Sequence, residues 1–294
     1  AERLATWPRA RNVVVYDELC GLLTRAACAW VGVPLDDREA PQRTRQITAL
    51  FDGAGRVGPG YWRSRRARRA TDRWIADLVE QVRLGGLPVD PDSPLHAIAF
   101  HRELEGGVLD PRTAAVEVSN LIRPTVAVAV WSTFVAHALD RYPDERHRVV
   151  SPDYAALFVQ EVRRFYPFFP ALVARVRQTF EWNGHVLRRG RRVLLDVHGT
   201  NQDPRTWSEP DRFLPQRFHG RDGGPFGFVP QGGGDARVQH RCPGEPVALA
   251  LMEVATRFFA VLPYEVKRAG RRIDRTRLPA LPGRGLPIRV GSGG

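Results

Sequence analysis

The segment from Asp110 to Arg141 constrains the fold more than any other part of this chain. It opens on Asp110-Pro111, an N-cap side chain followed by the residue best suited to the first helical position. Apolar and helix-compatible residues then continue to Arg141, and Pro143 stops the pattern. A helix of that length spans roughly 45 Å, so it crosses a whole domain and the rest of the chain must pack around it. Pro124 stands in its middle, removes one helical hydrogen bond and predicts a kink. Its most apolar stretch, Thr125 to Leu139, is interrupted by Ser132, Thr133 and His137. It therefore falls short of the about 18 apolar residues of a membrane span, and no membrane span is expected.

The remaining periodicities read as mainly α with a small β portion. Tyr16 to Val31 repeats apolar residues near the 3.6 period and is stopped by Gly32 and Pro34. Further helices are expected over Arg43 to Phe51, Arg65 to Val82, Leu95 to Arg102, Tyr154 to Tyr166 and Pro246 to Leu262. Short strands are expected at Val173 to Val176, Phe180 to Trp182, His185 to Leu187 and Arg192 to Val197, with turns at Asn183-Gly184 and Arg189-Gly190. Asp203 to Gly234 is rich in Pro, Gly and Asp and reads as irregular; a loop that long inside a domain usually serves function. The tail after Leu262 reads as mostly extended.

Composition places the chain among globular proteins, with 43% hydrophobic and 26% charged residues in 294. Its opening residues, AERLATWPRA, contain no apolar signal core. Three cysteines cannot build a disulfide framework, which points to a reducing, cytoplasmic setting. The net charge is +12, and Lys267 is the single Lys among 44 basic side chains. Arg forks match phosphate oxygens, but a coding bias toward Arg explains the same count. The basic clusters are scattered and no nucleic-acid motif accompanies them, so no nucleic-acid partner is expected. A basic surface can still attract an acidic partner or an anionic substrate.

Three local features carry chemistry. Cys242 lies in Gln239-His240-Arg241-Cys242-Pro243-Gly244-Glu245, after the glycine run 232–234 and just before a helix. The positive end of a helix and neighbouring cations both favour a thiolate. Read alone, Cys242 is a reactive thiol, a metal ligand or a buried structural cysteine. No second Cys or His pair stands at zinc-ligand spacing. The second feature is Glu161-x-x-Arg164, whose spacing puts both side chains on one helical face, as in any surface ion pair. The third is Pro215-Gln216-Arg217-Phe218, which can bring a second guanidinium to the same carboxylate.

Taken in order, these features resemble a cytochrome P450. The resemblance implies haem b held by the Cys242 thiolate, with His240, Arg241 and Gly244 contributing to the cofactor site. It also implies that Glu161, Arg164 and Arg217 form a buried structural triad beneath the haem. An ordinary member carries an acid–alcohol pair at the middle of its long helix, whereas this chain has Arg123-Pro124. Arg is no acid at working pH and Pro has no hydroxyl.

Arg-Pro at that place resembles the fatty-acid peroxygenase branch. So do Phe158-Val-Gln-Glu-Val-Arg-Arg-Phe-Tyr-Pro-Phe, Leu194-Leu-Asp-Val-His-Gly-Thr-Asn-Gln-Asp-Pro, Pro230-Gln-Gly-Gly-Gly and His240-Arg-Cys-Pro-Gly-Glu, with Val57-Gly-Pro and Ala99-Phe-His beside them. The commoner cysteine-loop signature wants Phe seven and Gly four residues before the Cys; here Asp235 and Val238 stand there. The longer Pro-Gln-Gly-Gly-Gly form is the one seen in the peroxygenase branch.

The resemblance covers nearly all 294 residues as one cytochrome P450 domain. It implies an N-terminal portion ahead of Ala1 (first helices, a small sheet and a distal loop), with Ala1 itself starting inside a helix. It implies hydrogen peroxide as oxidant, a fatty acid as substrate and no redox partner. Arg123 would hold the substrate carboxylate as general acid–base, and Pro124 would open room above the haem. Ala127, Phe168 and Phe51 would line the acyl channel or serve as core. Oxidation would fall on the alpha or beta carbon, with decarboxylation to a terminal alkene as a further outcome. The alternatives are a reductase-dependent P450 monooxygenase and an inactive, truncated haem-binding remnant.

Overall fold

A computed structural model describes residues 12–55 and 57–291. The expectation that Ala1 lies inside a helix falls outside them. Strand β1 (Asn12–Val14) leads into α1 (Val15–Val31), α2 (Ala40–Asp52), α3 (Pro59–Arg83), α4 (Pro94–Ala99) and the long α5 (Pro111–Arg141). The short α6 (Glu145–Arg148), α7 (Pro152–Phe165), strands β2 (Ala171–Arg175), β3 (Phe180–Trp182), β4 (His185–Leu187) and β5 (Arg192–Asp196), and α8 (Val197–Asn201) follow. An irregular stretch precedes α9 (Glu245–Val261), and β6 (Tyr264–Val266), β7 (Ile273–Asp274), β8 (Leu281–Pro282) and β9 (Pro287–Val290) complete the order.

α5 is the axis of the core. The Asp110 side chain accepts from the N–H groups of Arg112 and Thr113 at 3.0 and 3.2 Å, satisfying donors that the first turn leaves free. From Val128 to Leu139 every residue is buried, so this half of the helix has no solvent face. α1, α3 and α9 pack around it. By length and a mean hydropathy of 1.3 it is apolar enough to cross a bilayer, yet 72% of that window is buried within the protein, as in a core helix. The helix runs through Pro124 without a break. Near the missing N–H, the Thr125 hydroxyl donates to the Leu121 carbonyl at 2.8 Å.

The helix starts show what periodicity sees. α3 begins at Pro59, earlier than the apolar pattern predicts, because its first half is Arg-rich and contributes no buried residue before Thr71. Burial then follows Thr71, Ile75, Leu78, Val79 and Val82. α4 ends at Ala99 rather than Arg102, whose backbone pairs with Val108 instead. α1 stops where sequence places the stop: Gly32 adopts φ +88 and donates to the Cys28 carbonyl at 3.1 Å.

The strands form small antiparallel units. β9 lies between β1 and β6, with Val13 opposite Ile288 and Glu265 opposite Arg289. β2 pairs with β5, and β3 with β4 across an Asn183-Gly184 turn in which both residues have positive φ. The irregular stretch has its own small core of Trp207, Phe218 and Phe228. Trp207 donates its indole N–H to the Gly227 carbonyl at 3.1 Å.

Candidate functional site

Glu161 and Arg164 are both fully buried on α7. Arg164 Nε and Nη2 donate to separate oxygens of Glu161, each at 2.8 Å. The same carboxylate accepts from Arg217 Nε at 3.2 Å and from the Leu214 backbone N–H at 2.8 Å. The arginines use their other donors on backbone carbonyls. Arg164 reaches Asn201, Pro210 and Arg212, and Arg217 reaches Ser208, Glu209 and Arg212. One carboxylate and two guanidiniums thus hold the irregular chain from 201 to 217, where no ladder of backbone hydrogen bonds does so. All three sequence-predicted triad residues meet here.

The cysteine loop folds back on itself ahead of α9. Cys242 donates its backbone N–H to the Gln231 carbonyl at 2.9 Å. Gly232 has φ +91, and a Cβ there would collide with the His240 carbonyl oxygen. This glycine is required by the approach of the two loop strands. Cys242 is half-buried, three residues before the first helical residue Glu245, whose N–H donates to the Cys242 carbonyl at 3.2 Å. A Cβ at Gly244 would meet Cys242 Sγ at 3.8 Å. Cys20 and Cys28 are buried under the apolar core, and burial pushes each thiol up to about 12.

A single half-buried sulfur ahead of a helix N-terminus sets the kind of group the site can hold. Among the described residues no cluster of three or more His, Cys, Asp or Glu side chains can hold a bare metal ion. One thiolate suits a metal that already carries its own equatorial ligands, and this donor chemistry fits a haem iron. Of the predicted cofactor contacts, His240 is exposed and Gly244 caps α9. Arg241 pairs with Glu245, its Nε and Nη2 donating at 2.7 and 3.1 Å.

Arg123 stands half-buried on α5. It donates to Asn120 Oδ1 at 3.2 Å, and no carboxylate among the described residues lies within ion-pairing distance of it. Burial, and then the nearby Arg68 on α3, lower its pKa; Asp72 opposes them. Arg68 itself pairs with Asp72 at 2.7 Å, and the second Asp72 oxygen is buried without a partner. Pro124, the next residue, is exposed. Ala127, one turn on, is half-buried against the core. Phe168 is half-buried with its ring 4.8 Å from that of Trp131. Phe51 is buried within the main core cluster.

Two pairs escaped the sequence reading. Arg68 and Asp72 lie in a run of basic residues that looks like solvated surface. Arg163 and Glu245 are 82 positions apart, yet Arg163 Nη2 donates to Glu245 Oε1 at 2.5 Å. The only local signal was a second Arg beside Arg164 and a Glu after Pro-Gly.

The cytochrome P450 family profile matches residues 148–262, the part that contains the triad and the cysteine loop. The chain is similar to solved structures of cytochrome P450SP alpha, one of them in complex with (R)-ibuprophen: 49% identity over 98% of this chain and 71% of that one, with a TM-score of 0.90. It is also similar to cytochrome P450EX alpha with myristic acid, at 38% identity over 95% of this chain and 69% of the other, with a TM-score of 0.86. Beta-amyrin 28-monooxygenase of Barbarea vulgaris is 24% identical over 97% of this chain and 65% of its own length. The chain spans between 20% and 65% of the curated relatives compared.

Proposed function

This chain belongs to the cytochrome P450 family, in its fatty-acid peroxygenase branch, and on that premise we propose that it oxidises long-chain fatty acids with hydrogen peroxide at the alpha or beta carbon. Arg123 carries the reading. A half-buried guanidinium with a second cation beside it and no paired carboxylate is costly until it receives an anion. A fatty acid head group is an anion of suitable shape, since two carboxylate oxygens match the guanidinium fork. The myristic acid in the P450EX alpha structure supports the same substrate class.

When bound through Cys242, the haem supplies a thiolate-ligated iron that favours O–O cleavage. The protein supplies the rest. Between Glu117 and Asp140 α5 contains no acidic residue, so its middle has no carboxyl group of its own. Arg123 holds the substrate carboxylate there, and that carboxylate serves as the acid–base group for the peroxide's protons. The same pair fixes the first carbons of the chain, which sets oxidation next to the carboxyl group. Val126, three residues on and on the same helical face, is buried and contributes an apolar side chain there.

The deciding experiment supplies the haem-loaded protein with peroxide and a long-chain fatty acid, without nicotinamide cofactor or reductase. Hydroxy acids carrying the new oxygen at the alpha or beta carbon are expected by mass spectrometry. Turnover only with a reductase and NADPH would replace this reading with a conventional monooxygenase.

A further inference from the structure

Arg163 is the second buried cation that the chemistry above does not use. It follows Val162 on α7 and precedes the triad residue Arg164, but its side chain takes another course. Only 1% of it is exposed. Nη1 donates to Gln160 Oε1 at 2.6 Å and Nη2 to Glu245 Oε1 at 2.5 Å, while Nε is buried without a partner. Its guanidinium lies 5.2 Å from the centre of the Phe228 ring. Glu245 in turn receives Arg241, the residue before Cys242, and donates its own N–H to the Cys242 carbonyl. The backbone on both sides of the sulfur is therefore tied to one buried arginine.

We propose that the charge balance at the Arg163–Glu245 pair, held beside Cys242, sets how strongly its sulfur donates to a bound haem iron. The argument has two parts. First, the pair joins α7, which the Glu161 triad anchors, to the first residue of α9, so the cysteine loop is fixed from a rigid element. Second, two guanidiniums share one carboxylate: Arg163 is fully buried, while Arg241 is partly solvated with Asp222 in electrostatic reach, so the excess positive charge near the sulfur is concentrated on Arg163. A positive charge there draws electron density from the thiolate, and charge and hydrogen bonding next to a ligand tune the metal's potential. Arg163 and Cys242 do interact electrostatically: burial lowers the Arg163 pKa, Glu245 opposes it most strongly, and Cys242 adds to that opposition. Both residues act through Cys242 and are positioning residues. The inference rests on Cys242 as the haem ligand and does not depend on which substrate is oxidised.

The test is the ferric/ferrous midpoint potential of the haem-loaded protein, with far-UV circular dichroism as the control for folding. Glu245→Gln removes the shared negative charge and should shift the potential upward. Arg163→Met removes a positive charge and should shift it downward. The double variant Arg163→Met/Glu245→Gln restores the balance and should return close to the parent. A purely mechanical clamp would move both single variants the same way and the double variant at least as far; that pattern, or no shift at all, overturns the proposal. If a single variant fails to take up haem, Glu245→Asp and the double variant decide, since both keep the parent's net charge and a shifted potential in either overturns the idea. A parent that shows no thiolate-type Soret band in its reduced carbon-monoxide complex would instead sink Cys242 as ligand, a separate failure.

Discussion

The carboxylate of Glu161 and the guanidinium of Arg164 meet through two hydrogen bonds of 2.8 Å with neither side chain exposed to solvent. A buried pair is weak proof of net stability, but breaking one leaves a charge without compensation. Here a neutral amide would leave two guanidiniums, Arg164 and Arg217, without their counter-charge and would replace one of the two acceptor oxygens by a donor. Glu161→Gln should therefore cost about 3–5 kcal/mol. Thermal unfolding followed by circular dichroism, together with the haem-to-protein ratio, reads this. A variant as stable as the parent, with full haem content, would show that the triad does not hold the 201–217 segment.

Arg123 leads to a prediction about substrate. A hydrogen bond to a charged group contributes about 1.5–3 kcal/mol, so Arg123→Ala should weaken long-chain fatty acid binding by one to two orders of magnitude. Arg123→Lys keeps the charge and loses the fork, and should fall between the two. Titration of the haem absorption band with fatty acid measures both. Peroxide-driven turnover should drop further than binding, because the carboxylate would lose its orientation as well as its anchor. Undiminished turnover in Arg123→Ala would remove the substrate-assisted scheme.

Asp72 offers a third test, with the opposite sign. Its carboxylate holds Arg68 and opposes the effect of burial on Arg123, so it competes with an incoming head group. Asp72→Asn should tighten fatty acid binding. The gain should stay below about tenfold, because the Arg68–Asp72 pair is partly solvated and screened. Dissociation constants at low and high salt separate this from a packing effect, since only an electrostatic gain shrinks as salt rises.

The sequence reading succeeded where local chemistry is self-contained. α5 was legible because Asp110, Pro111 and an unbroken apolar pattern agree. The triad was legible because Glu161, Arg164 and Arg217 stand in an order and spacing that together with the Cys242 loop resemble a known family, although each feature alone left its alternatives open. The early start of α3 was hidden, since a helix with one end in water has no apolar period to detect. Arg163 with Glu245 was hidden for a different reason: a pair joined across 82 positions leaves no periodic trace. Phe51, an apolar residue at a helix end, reads alike as channel wall or core, and the structure buries it in the main apolar cluster. The place of Arg241 beside Cys242 suggested a cofactor contact and gave no sign of the ion pair with Glu245 that the structure adds.

His137 makes stability depend on pH. It is 4% exposed on α5 and bridges two elements, with Nε2 3.0 Å from the Arg271 carbonyl and Nδ1 2.9 Å from the Tyr166 hydroxyl. A carbonyl only accepts, so Nε2 carries the proton; in the neutral ring Nδ1 accepts from Tyr166. Burial lowers the His137 pKa below its ordinary 6.5, against the smaller opposing effects of the Arg271 carbonyl and Asp140. The unfolded chain then binds a proton near 6.5 that the folded chain refuses. Stability from this site is present above that value and is lost as pH falls toward the lower folded pKa. The urea midpoint should decline between about pH 7 and pH 5.5, the range in which an unperturbed histidine titrates. His137→Gln should be less stable at the upper end, where it lacks the neutral ring's two hydrogen bonds, and should decline less steeply. The two curves should thus converge as pH falls. Parallel curves would mean that His137 titrates alike in both states and that burial does not hold it neutral.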